Sequence, residues 1–420
     1  MMQYQSPYTV QHISLNEEVI EFSSLSLTSN GYYLVFWWRK IPLGHLYIEQ
    51  NQTYTDNTFK EKIFEAIEPT ISYYNITGRD NDYRQAFIND DKTSFSTIMD
   101  KMILRFCPDI FPEKVDISVV ICTRNRSKEL KICVENLLKQ VSIPKEIIVV
   151  DNAPVDDSTR EFTEQYELIT YYAEMRPGLD IARNTGAKNA RFPIVAYVDD
   201  DVKVHADWSY RVWETFQEPT VSAMTGLVIA SSLETESQQI FEKHWEFNKG
   251  YKPLTFNESF VKGNVPKVWL IGAGANMAFR KVMLEKVGFF DERLDVGAAG
   301  CSGDSEIWFR ILLAGGKINY NPLAVSHHEH RKEMKSLQKQ LYNYMRGYTV
   351  AALVQDFQLK TAGYKRHILY DIPKYYLLLI RIGFPSYTFR YRTLWSEIKG
   401  IISGIRYFYK NKNTPRITKD

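Results

Sequence analysis

An alternation that begins at Val115 restricts the fold more than any other feature of this chain. Continuous apolar runs at 117–122, 146–150, 169–173 and 194–198 are separated by stretches of helical spacing at 128–140, 157–166 and 180–190. Runs dominated by Val and Ile suit strands buried on both faces, and the strand–helix–strand order calls for parallel crossovers. The expected fold class is therefore α/β, a mostly parallel, doubly wound sheet with helices on both faces. Ligands of such sheets bind outside the carboxyl ends of the strands. Upstream, the aromatic run at 32–38, a turn at Ile41-Pro42-Leu43-Gly44, a second run at 46–48 and helical spacing at 59–67 predict a small α+β module. Cys107-Pro108 and Phe111-Pro112 punctuate its end. The reading is an N-terminal α+β accessory module over 1–112, the α/β domain over 113–335, and a basic, aromatic helical C-terminal extension over 336–420.

The strand ends carry the polar residues. The first strand runs into Thr123-Arg124-Asn125-Arg126 and the second into Asp151-Asn152, which could line a nucleotide site or merely cap the next helix. No GxGxxG follows the first strand, which argues against a dehydrogenase-type dinucleotide site. Asp199-Asp200-Asp201 closes an apolar strand with three carboxylates. Like charges packed there repel unless a cation compensates, and hard oxygen ligands select Mg²⁺ or Mn²⁺; a solvated acidic turn is the alternative. Gly303-Asp304-Ser305-Glu306 precedes the helical run at 307–313, so Asp304 is either an N-cap or a general base, with Glu306 in reserve. His327, His328 and His330 put three of the eight histidines into four positions, where they could complete a metal shell or begin a solvated helix.

Taken together and in this order, these motifs resemble family 2 of the glycosyltransferases, which have the GT-A fold, over roughly 117–331. The resemblance implies that Thr123, Arg124, Asn125 and Arg126 open a nucleotide-binding loop and that Asp151 and Asn152 contact the base. Arg176, Gly178 and Arg183 fall in the segment before the acidic motif, and Asp199-Asp200-Asp201 matches the DxD element. Asp199 and Asp201 would then serve a Mg or Mn ion, with Asp199 and Asp200 also on the donor side. Gly274 and Asn276 lie in a loop beside the donor sugar, and Asp304 takes the general-base position. Glu306 and Trp308 fall on the acceptor side. His328 matches a late metal-binding histidine, with His327 as the neighbouring alternative. Gly303 departs from the family pattern, which has a glutamate before the aspartate. The activity so implied is an inverting, metal-dependent transfer of sugar from a nucleotide diphosphate, by the resemblance a UDP-sugar, to a glycan or lipid-linked acceptor hydroxyl.

A net charge of +2 over 420 residues gives no electrostatic case for nucleic acid. The charge is uneven: residues 360–420 hold 13 Lys and Arg against 3 acids. Trp395, Ile401, Ile402, Ile405, Tyr407 and Phe408, interleaved with Lys399, Arg406 and Lys410, fit either a core-packed helix pair or peripheral contact with an anionic membrane. The four cysteines have no zinc-ligand spacing, and no signal-peptide pattern opens the chain, so a cytoplasmic setting is expected, with any membrane contact at the inner face. The apolar stretch at 375–380 is too short to span a bilayer. Two rival readings remain, a nucleotidyltransferase and a noncatalytic sugar-nucleotide-binding scaffold.

Overall fold

The structure is a computed structural model that describes residues 7–17, 21–25, 30–75, 82–382 and 391–417. Three strands open it, β1 (Tyr8–Ser14), β2 (Gly31–Trp38) and β3 (Ile41–Ile48), with β1 parallel and β3 antiparallel to β2. The polar opening of the chain is thus partly strand. The hairpin turns at Arg39-Lys40, where Arg39 takes φ 55°, earlier than expected, and 41–44 is strand rather than turn. Gly44 serves close packing instead: helix α1 (Asp56–Tyr74) lies so near that a Cβ at residue 44 would sit 2.2 Å from the Ala66 carbonyl oxygen. Helices α2 (Tyr83–Ile88) and α3 (Lys92–Ile103) complete the layer. Strand alternation divides β2 between two cores. Leu34, Phe36 and Trp38 pack under these helices, whereas Tyr33, Val35 and Trp37 join the core of the large sheet.

That sheet begins at β4 (Lys114–Thr123) and follows the expected alternation through α4 (Ser127–Leu137), β5 (Ile143–Asn152), α5 (Ser158–Thr163), β6 (Ile169–Glu174), α6 (Leu179–Asn189) and β7 (Ile194–Asp199). Then come β8 (Val202–Val204), α7 (Trp208–Thr215), β9 (Val221–Ala230), α8 (Glu236–Trp245), β10 (Leu254–Phe256), β11 (Asn276–Arg280), α9 (Lys281–Val287), α10 (Gly303–Leu313) and β12 (Lys317–His328). The strand order is β10-β12-β9-β11-β7-β4-β5-β6, with β8 paired to β12. β7, β4, β5 and β6 form one parallel block, β9 and β12 another, and antiparallel β11 joins the two. Strand order reverses at β4, whose neighbours are β5 and β7. A crevice therefore opens beyond the carboxyl ends of β4 and β7.

Beyond the sheet, α11 (Met334–Gln358), a short α12 (Tyr364–Arg366), α13 (Ile372–Ile382) and α14 (Tyr391–Asn411) form the extension. α14 lies against α11 at glycine contact: a Cβ at Gly400 would be 2.4 Å from the Tyr342 carbonyl oxygen, and one at Gly404 2.6 Å from that of Arg346. This seats Ile401 in the core, with Ile405 and Phe408 packed against it, so these residues do not form an outer apolar face. The outward stripe of α14 is Trp395, Lys399, Ile402, Arg406 and Tyr409. Among the described residues no helix is long and apolar enough to cross a membrane.

Candidate active site

At the crevice mouth, Asp199 ends β7, and Asp200 and Asp201 turn the chain toward β8. The three carboxylates diverge in role. Asp200 is buried and fully engaged: the Thr123 hydroxyl donates to Oδ2 at 2.8 Å and Arg126 Nη1 to Oδ1 at 2.6 Å. The other arm of Arg126 reaches Asp201 Oδ2 at 2.9 Å. The loop residues that sequence assigns to a nucleotide thus also lock the acidic turn, while Arg124 and Asn125 stay exposed. Asp199, Asp201 and His328 point at one another, and one ligand atom from each lies within 4.8 Å of the other two. His328 arrives because the end of β12, paired with β9 along one edge, pairs along its other edge with β8, which begins one residue after Asp201. His327, one residue earlier on β12, points the other way and meets the His12 ring of β1 at 5.2 Å.

Burial pushes Asp199 up to about 7 and Asp200 up to about 6. Burial also works to raise Asp201, but His328 and Arg126 overcome it and hold that group below its ordinary value. His328 is pushed down to about 4 by burial, which leaves a neutral imidazole with a lone pair to give. Two carboxylates and one imidazole are a donor set suited to a hard divalent ion.

A second acidic group lies deeper. Arg183, on α6, is buried and donates to Asp180 at 3.0 Å and to Asp295 at 2.7 Å. Asp304, the second residue of α10, is only partly buried, and a Cβ on Gly274 would lie 2.9 Å from its Oδ2. Gly274 is therefore the loop residue that lets the chain pass over this carboxylate. Burial and the charge of Asp295 raise Asp304 above the usual carboxylate range, against Arg183. The field of Arg183 also bears on Asp199, so one guanidinium stands between the two acidic groups. Gly303 has a spatial explanation: a Cβ there would lie 2.0 Å from Asp180 Oδ2. A carboxylate from α6 occupies the space that a side chain at 303 would need.

Several residues expected at the site are placed elsewhere. Glu306 is fully buried and grips Arg310 with both oxygens at 2.6–2.9 Å, and Trp308 is a core residue. Both side chains are fully covered, Glu306 against Arg310 and Trp308 in the core, so neither is presented at the surface of the crevice. Asn276 spends its amide on Trp208 Nε1 and on the Leu227 and Ala324 carbonyls, a brace within the sheet rather than a sugar contact. Asn152 splints the Arg176 carbonyl and the Gly178 amide, and Arg176 pairs with Glu174. Asp151 stays on the crevice floor with its pKa raised by burial, its Oδ2 accepting from Tyr171 at 3.3 Å and its Oδ1 buried without a hydrogen bond. Sequence reasoning missed Asp180 and Asp295, because buried acids distant in sequence leave no local pattern.

Residues 118–288 match the family model described as "Glycosyl transferase family 2". The pre-mycofactocin glycosyltransferase of Mycobacterium tuberculosis is 24% identical over 241 residues, 57% of this chain and 48% of that protein. Glycosyltransferase GlyA of Streptococcus pneumoniae is 24% identical over 211 residues, 49% of this chain and 29% of its own length. The chain thus spans about half or less of these relatives. Among solved structures, the mannosyltransferase PcManGT of Pyrobaculum calidifontis, in complex with GDP-Man and Mn²⁺, aligns with a TM-score of 0.45 and 18% identity. That alignment covers 71% of this chain and 90% of that one.

Proposed function

We propose, from the match of residues 118–288 to the glycosyl transferase family 2 model, that the crevice transfers a sugar from a nucleotide diphosphate to an acceptor hydroxyl with inversion. The convergence of Asp199, Asp201 and His328 at the switch-point crevice, with Asp304 joined to them through the field of Arg183, carries this reading. The three ligands would hold Mg²⁺ or Mn²⁺, which when bound supplies positive charge to the leaving diphosphate. Thr123 and Arg126 fix the acidic turn by spanning Asp200 and Asp201. Asp151, with an unsatisfied buried oxygen, suits a base N–H. Asp304 accepts the proton of the attacking hydroxyl, and its raised pKa makes it a stronger base than an exposed aspartate. One displacement with no covalent sugar–protein intermediate gives inversion.

The donor is a UDP-sugar by the family resemblance, and the acceptor is a glycan or lipid-linked hydroxyl. A lipid-linked acceptor accords with the outer surface of the extension, where Tyr370, Leu377, Leu378 and Ile380 on and beside α13 are exposed near Lys374 and Arg381. Flotation with anionic liposomes tests that contact, and failure of the intact chain to float removes it. The decisive experiment is a thermal-shift screen of UDP, GDP, dTDP and CMP with Mn²⁺ or EDTA, on wild type and Asp201→Ala. A stabilisation by one nucleotide that vanishes with EDTA and in the variant supports the donor site. Release of nucleoside diphosphate rather than pyrophosphate separates glycosyl from nucleotidyl transfer. No metal-dependent shift with any nucleotide would favour a binding scaffold.

A further inference from the structure

The third histidine of the 327–330 cluster has no part in the reaction, yet it is among the most enclosed polar side chains of the molecule. His330 is 3% exposed and its Nε2 lies 2.7 Å from Oε2 of Glu242, itself 2% exposed on α8. Its other nitrogen, Nδ1, faces Nδ1 of His328 at 3.2 Å. The rings are held by Phe241 and Phe247, whose centroids lie 4.6 Å from His330 and 5.3 Å from His328.

The placement of protons then leaves little choice. With Oε2 of Glu242 accepting from Nε2 of His330, the tautomer that this bond selects leaves a lone pair at Nδ1. Two lone pairs cannot face each other at hydrogen-bond distance, so His328 must bring a proton on its own Nδ1. That leaves Nε2 of His328 bare. We propose that Glu242 and His330 are positioning residues which fix His328 in its Nδ1–H tautomer and thereby present Nε2 to the cation with Asp199 and Asp201. The inference rests on the cation reading given under the proposed function. Metal-ligating histidines commonly have their second nitrogen fixed in this way, and loss of the fixing partner weakens metal binding by about 10–100-fold. The relay extends to the N-terminal sheet, because the buried Tyr33 hydroxyl of β2 lies 3.5 Å from Oε1 of Glu242.

Two measurements test this. Histidine ¹⁵N NMR of the metal-free wild type should show the His328 proton on Nδ1, and a proton on Nε2 overturns the proposal whatever the metal does. Mn²⁺ titration followed by EPR should give affinities weakened about 10–100-fold in Glu242→Gln and His330→Leu. His330→Asn, whose amide oxygen can stand in for Nδ1, should recover most of the wild-type affinity. Wild-type affinity in both Glu242→Gln and His330→Leu overturns the relay. If Glu242→Gln does not fold, the two His330 variants and the wild-type tautomer decide. If Asp201→Ala binds Mn²⁺ as wild type does, the cation reading has failed instead, and the tautomer measurement alone then judges the relay.

Discussion

Two groups of three carboxylates flank this crevice, and each has one guanidinium at its centre. Asp199, Asp200 and Asp201 share Arg126; Asp180 and Asp295 share Arg183, with Asp304 in its field. Their formal charges are the same, yet their chemistry differs. The first group lies at the crevice mouth with a neutral imidazole turned toward it, so its excess negative charge is suited to neutralisation by a divalent ion. In the second, Asp180 and Asp295 are buried and Asp304 partly so, and among the described residues no imidazole is bonded to them. Burial raises Asp180 well above its ordinary value, so a proton on Asp180 does there what the metal would do at the mouth, while Asp304 is raised and remains the group that must ionise to act. What a cluster of acids can do is thus decided by its access to water and by its neutral neighbours, not by its count of charges.

The sharpest way to break this contrast is to neutralise one member of each group. Asp304→Asn should lower kcat by about 10³-fold, within the range for loss of a general base, and leave Mn²⁺ affinity unchanged. Glu306→Gln, two residues further along α10, should do the reverse: it strips a buried partner from Arg310, costs about 3 kcal/mol by denaturant unfolding, and leaves kcat per folded molecule near wild type. Asp201→Ala should weaken Mn²⁺ binding about 100-fold by titration and lower the metal-free melting temperature through loss of the Arg126 pair.

Two smaller effects sharpen the contrast through pH. Asp304 must be ionised to accept a proton, so the acid limb of kcat/KM should lie above the ordinary carboxylate range, where burial has moved the group. Asp180 has its folded-state pKa raised above the ordinary 3.8. Above that pH the unfolded chain releases the proton while the folded chain keeps it, so its contribution to stability declines as pH rises. Unfolding curves from about pH 4 upward should therefore show wild type losing stability relative to Asp180→Asn. A flat difference would mean that Asp180 is ionised in the fold and that the two groups are alike after all.

The sheet is legible in the sequence because buried parallel strands leave runs rich in Val, Ile and aromatic residues, and 117–122, 146–150, 169–173 and 194–198 fall inside β4, β5, β6 and β7. The acidic turn is legible because its carboxylates are adjacent. Less can be read where the determining contact is distant. Gly44 looks like a turn residue until α1 is seen lying on it. Asn276 and Glu306 look like site residues because their polarity is visible while their buried partners, Trp208 and Arg310, are not. The outward stripe of α14 misleads for the same reason, since only the α11 contact tells which side of that helix is inner. Glu242 and His330 lie 88 residues apart, and no local spacing joins them.

The space shared by Gly303 and Asp180 bears on how such chains diverge. A side chain at 303 and a carboxylate at 180 exclude one another, since a Cβ at the first would overlap the oxygens of the second. The two positions are therefore coupled: a side chain can be introduced at 303 only where the residue at 180 gives way.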